Sequence, residues 1–73
     1  MTRTPARPLP PTTRWAHRLW IFPYRGRSYF ASELPTGWTV VAEDDQTRPL
    51  SAGHDTKAKA VRAAMQKIDE DTP

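Results

Sequence analysis

Cysteine is absent from this chain, which removes the disulfide staples of most small secreted domains and favours a reducing, cytoplasmic or nucleoid-associated setting. Long apolar runs are missing too. The longest, Leu19 to Phe22, is too short for a membrane span or a signal-peptide core, so no membrane partner is expected. Acidic residues and lysine are missing from the first 32 positions, where Arg3, Arg7, Arg14, Arg18, Arg25 and Arg27 are the only charged side chains. That part carries +6 and the rest −3, so the net charge of +3 conceals a strongly polar distribution.

Catalytic and metal-binding patterns are equally scarce. His17 and His54 stand far apart without a serine-carboxylate arrangement, and His54-Asp55 offers two ligands where zinc needs at least three. Glu43-Asp44-Asp45 reads as a hydrated turn, because no loop of alternating oxygen ligands follows it. The expectation is a protein that is not an enzyme and takes no cofactor or metal.

A chain of 73 residues allows one domain with a small core. Residues 1–17 read as a disordered, basic, Pro-rich tail: four prolines lie between positions 5 and 11, and Leu9 is the only large apolar side chain among the first 14 residues. Those prolines also exclude the amphipathic helix of a transit peptide. Arg7-Pro8-Leu9-Pro10-Pro11 has the pattern of a polyproline ligand and equally that of a solvated spacer.

Residues 18–70 read as one α+β domain, a small three- or four-stranded antiparallel sheet packed against one C-terminal α-helix, with residues 71–73 a disordered end. Arg18 to Phe22 is a first strand stopped by Pro23, and Tyr24-Arg25-Gly26-Arg27 turns the chain. Ser28 to Leu34 returns. Trp38 to Glu43 alternates so that Trp38, Val40 and Ala42 share a face, and Thr47 to Ala52 is a candidate edge strand because of Pro49. Asp55 or Thr56 caps a helix over Lys57 to Ile68, whose stripe of Ala58, Val61, Met65 and Ile68 covers the sheet. Asp69-Glu70-Asp71 opposes the helix dipole, so the helix is expected to fray there.

The first strand is apolar on both sides, Leu19 and Ile21 on one and Trp20 and Phe22 on the other, and one helix covers only one of them. The expectation is that Trp20 and Phe22, joined by Tyr29, lie uncovered beside Arg18 and Arg27 as a binding surface.

From residue 24 the order of features resembles the small sheet-plus-helix DNA-binding domains of the ethylene-response-factor family and the related integrase arm-binding domains. Tyr24-Arg25-Gly26-Arg27 is similar to the family's opening Tyr-Arg-Gly turn, and Trp38 with Ala42-Glu43 resembles its Trp strand. Gly53-His54-Asp55-Thr56, leading into Ala60, Ala63 and Ala64, resembles its strand-to-helix junction. The resemblance implies a three-stranded sheet that enters the major groove, with Arg25, Arg27, Trp38 and Arg48 as the contacting positions. Glu43-Asp44-Asp45 departs from the family, which is basic there.

Two functional readings follow. In the first, a phage-like nucleic-acid-binding module uses Arg14, Arg18, Trp20, Tyr24, Arg25, Arg27, Tyr29, Trp38 and Arg48. In the second, a small protein-binding or inhibitory effector docks the same residues on an acidic partner protein, such as a virus or mobile element encodes. Homodimerisation through Trp20 and Phe22 is a third.

Overall fold

The computed structural model describes residues 9–71. Its elements run β1 (Thr13–Ala16), β2 (Leu19–Tyr24), β3 (Arg27–Leu34), β4 (Gly37–Ala42), β5 (Ser51–His54) and α1 (Lys57–Asp71). The strands form one antiparallel sheet in the order β1-β2-β3-β4-β5, and α1 packs across it. The α+β class with one C-terminal helix is as expected; the sheet has five strands rather than three or four.

The extra strand is β1, inside the segment assigned to the tail. Thr12, Thr13 and Trp15 follow the last proline of the run, so the β-forming residues are free to pair once the chain is past Pro11. Arg14 pairs with Trp20 and Thr13 with Ile21, and Leu9 packs against the core. Lys57 Nζ donates to Thr12 Oγ1 at 2.8 Å, tying this segment to the first turn of the helix. The remainder of the expected tail, residues 1–8, and positions 72–73 lie outside the described residues.

Pro23 does not stop β2, which continues to Tyr24. Arg25 (φ 50°) and Gly26 (φ 79°) form a two-residue turn of the primed kind, closed by the Tyr24–Arg27 pair. In the alternating antiparallel ladder, Pro23 opposite Ser28 is therefore a non-hydrogen-bonded pair. Its missing N–H lies on the side of β1, whose pairing has already ended at Thr13–Ile21.

The candidate strand over Thr47 to Ala52 is displaced to Ser51–His54, though it does lie at an edge. Residues 45–47 are instead held in a turn by Asp45, whose carboxylate accepts from the Thr47 hydroxyl at 2.7 Å and from its N–H. These hydrogen bonds, the hydroxyl's first, hold the Asp45 carboxyl below its ordinary pKa.

Gly37 is a position where only glycine fits. Its φ is +124°, and a Cβ there would lie 2.8 Å from the Gly53 carbonyl carbon on β5. Gly37→Ala should thus cost about 2 kcal/mol or more by urea unfolding. Gly26→Ala meets no atom within 4 Å and should lose only the roughly 1 kcal/mol of its backbone conformation.

Thr56 is the N-cap, its Oγ1 accepting from the Lys59 N–H at 3.2 Å. The buried stripe is Ala60, Val61, Ala64, Met65 and Ile68, shifted from the expected one in that Ala58 is only half-buried. Two alanines bring the helix close to the sheet, and burial of Val61, Met65 and Ile68 contributes roughly 1.5–3 kcal/mol each. Ser51 Oγ, buried beneath the helix, donates to the Ala60 carbonyl at 2.8 Å.

The helix does not fray at Asp69. It runs to Asp71, because Asp69 is tied back to the sheet: the Tyr24 hydroxyl donates to its carboxylate, 2.8 Å from Oδ1 and 2.9 Å from Oδ2, and Arg25 donates to Oδ1 at 2.8 Å. Two such bonds offset an unfavourable dipole contribution of up to about 1 kcal/mol. Asp69→Asn is expected to lower stability by about 1 kcal/mol and to increase amide exchange in the last helical turn.

Candidate functional site

Directly paired residues of an antiparallel sheet share a face, so the register assigns every side chain. Trp20, Phe22, Tyr29, Ala31, Trp38, Val40 and Ala42 lie on the side the helix covers. Phe22 is 0% and Tyr29 3% exposed, and their rings stack at 5.6 Å. The uncovered patch expected at Trp20, Phe22 and Tyr29 is therefore the core. Trp20 and Phe22, the residues expected to mediate dimerisation, both lie on the helix-covered side.

Among the described residues, the opposite face is uncovered. It carries Leu19, Ile21, Phe30 and Val41 at its centre, Leu34 at one end, and Thr13, Ser28, Ser32 and Thr39 among them. A register irregularity between Arg14 and Ala16 releases Trp15 from the ladder. Its ring centroid lies 6.2 Å from that of Phe30, and the residue is 64% exposed. None of these positions is charged. The charged residues of the five strands, Arg14, Arg27 and Glu33, all belong to the helix side by register.

The expected site residues thus separate. Trp20 and Trp38 pack against each other at 5.2 Å on the helix side, with Lys57 Nζ 5.1 Å from the Trp20 centroid. Tyr24 and Arg25 hold Asp69. Arg27 is ion-paired with Asp44, which holds its guanidinium above the ordinary value, chiefly through the hydrogen bond. Arg48 is exposed in the β4–β5 loop, beside the helix's C-terminal end. Arg14 and Arg18 are exposed at the β1 margin without an ion pair among the described residues; Arg18 occupies the β1–β2 turn at φ 58°.

Trp15, Leu19, Ile21, Phe30 and Val41 were not among the expected site residues. The alternation of Leu19 and Ile21 with Trp20 and Phe22 signalled two apolar faces; nothing local signalled which one the helix takes.

These features define a small open-faced antiparallel sheet backed by a single helix, with an uncharged face that ends at an edge strand whose arginines have no ion pair among the described residues. Compared with protein families, curated proteins and solved structures, the chain matches none. Among the described residues, no helix is long and apolar enough to cross a membrane.

Proposed function

We propose that this protein is a non-catalytic binding module whose uncovered sheet face docks on another protein, one presenting an apolar surface bordered by carboxylates. The observation that carries this reading is the uncharged face itself, with Trp15 exposed at its edge. An uncharged face with apolar residues at its centre and hydroxyl side chains among them has the composition of an interface core. Arg18 in the β1–β2 turn and Arg14, which lies on the helix side of the edge strand by register, have no ion pair among the described residues, and they supply the complementarity for an acidic border.

A second copy fits less well. Five strands about 4.8 Å apart and about six residues long make a face of about 480 Å², so two flat copies would bury about 950 Å², below the roughly 1,200 Å² of a stable complex. Both copies would also bring a net charge of +3. A partner that reaches past the face to Arg14 and Arg18 avoids both problems.

One observation favours nucleic acid as a second reading: an exposed Trp15 ring beside Arg14 and Arg18 suits stacking of a single-stranded base. Duplex contact through Arg25 and Arg27 has less support, because each is engaged by a carboxylate within the fold.

The test is recovery from a nuclease-treated lysate of one protein that, once purified, binds the full chain at a defined stoichiometry. Trp15→Ala should weaken that binding markedly and Arg25→Ala should not. Binding of a single-stranded oligonucleotide that collapses with salt, with no protein bound, would transfer the function to the second reading.

A further inference from the structure

Leu19 and Ile21 on β2, Phe30 on β3 and Val41 on β4 are half-buried on the uncovered face, whereas Phe22, Ala31 and Val40 on the helix side are buried. An antiparallel sheet with one face in water ordinarily carries polar residues across that face. Here the centre is apolar, and the apolar part is three strands wide. One helix covers that width: two strand spacings are about 9.6 Å, a helix with its side chains is about 10 Å across, and α1 itself packs chiefly over β3, β4 and β5.

Trp15 narrows the choice of occupant. β1 and β3 lie about 9.6 Å apart, yet the Trp15 and Phe30 ring centroids are 6.2 Å apart, so the indole leans inward over β2. A flat sheet laid across all five strands would strike that ring. A rod laid along β3 and β4 passes beside it, with Phe30 and Val41 beneath and the indole against its flank. Strand addition at an edge is the other way a partner joins a sheet, and both edges resist it. β1 and β5 are short, both of their ladders are irregular, and Pro10 and Pro11 stand just before β1. The two ends of the face differ in charge. Arg18 precedes Leu19 at one end, and at the other Glu43 donates its N–H to the Ser28 carbonyl at 3.1 Å.

We infer that, given that the uncovered face is the interface, the partner's docking element is an amphipathic α-helix lying along β3 and β4, with its apolar stripe on Phe30 and Val41 and carboxylates at the end nearest Arg18. Its length is about 13 residues or more, since about 13 residues at 1.5 Å each match the roughly 20 Å of a six-residue strand. Docked in this way, it completes a helix, sheet and helix sandwich.

The experiment titrates the full chain with synthetic peptides of about 16 residues, followed by chemical shifts and far-ultraviolet circular dichroism. One peptide has leucines at helical spacing and glutamates towards one end. Its controls are the same peptide with a central proline, a peptide of identical composition with strictly alternating leucines, and one with lysines for the glutamates. The first should bind at about 100 µM or tighter, gain helicity on binding, and shift Phe30, Ser32 and Val41. The central proline should weaken binding about tenfold or more, and lysines should weaken it about fivefold, a preference that Arg18→Glu should cancel. Equal binding of any control, shifts confined to the edge amides of β1 or β5, or no saturable binding would overturn the helix assignment. In that event, loss of binding to the purified partner in Ser32→Glu leaves the face as the interface with a different occupant, whereas a partner indifferent to Ser32→Glu removes both.

Discussion

Replacing Phe22 with alanine should remove about 3–5 kcal/mol of stability, the cost of deleting a fully buried aromatic side chain and leaving a cavity. Phe22 is 0% exposed and stacks on Tyr29 at the centre of the helix-covered face. A 73-residue domain has about 4–11 kcal/mol in total, so this one change should leave a large unfolded fraction at room temperature. Urea titration followed by far-ultraviolet circular dichroism measures it. Ile21→Ala, one residue away on the uncovered face, should cost only about 1 kcal/mol. Equal losses at the two positions would show that the helix does not discriminate between the faces as described.

The second large effect concerns binding. Trp15→Ala is expected to weaken partner binding by about 2 kcal/mol or more, roughly thirtyfold, because a large aromatic side chain at the edge of an apolar patch has the character of a hot spot. Its stability cost should stay below about 1 kcal/mol, since Trp15 is exposed and touches Phe30 from an edge strand. Ser32→Glu is the complementary change. Ser32 pairs with Leu19 and Thr39 in the middle of the face, so a carboxylate there must be desolvated against the partner's apolar surface and repels its acidic border. Calorimetric titration with the purified partner should detect no binding of Ser32→Glu while its unfolding midpoint stays near that of the parent chain. Retention of wild-type affinity by both variants would place the interface elsewhere.

Much of the fold could be read locally. The Thr56 cap, the spacing of Val61, Met65 and Ile68, the Arg25-Gly26 turn and the shared face of Trp38, Val40 and Ala42 each follow from residues adjacent in sequence or one helical turn apart. β1 was hidden because its β-forming residues follow directly on a proline run that dominates the composition of the segment. The helix end was misjudged for a different reason. Asp69 is unfavourable by its position in the helix and becomes favourable only through Tyr24 and Arg25, 45 and 44 positions away.

The candidate site was the least legible part. Side-chain period two places Leu19 and Ile21 opposite Trp20 and Phe22 wherever the strand lies, so the existence of two apolar faces is a property of the sequence alone. Charge is likewise local: the arginines of the first 32 residues are there in any fold. Which face the helix buries, and which arginines remain unpaired, was decided only by the tertiary structure. A helix with a single apolar stripe can desolvate one side of a sheet, and it took the side carrying Trp20, Phe22 and Tyr29. That packing brought Asp69 to Arg25, while the β4–β5 loop brought Asp44 to Arg27, leaving Trp15, Phe30 and the β1 margin as the surface available to a partner.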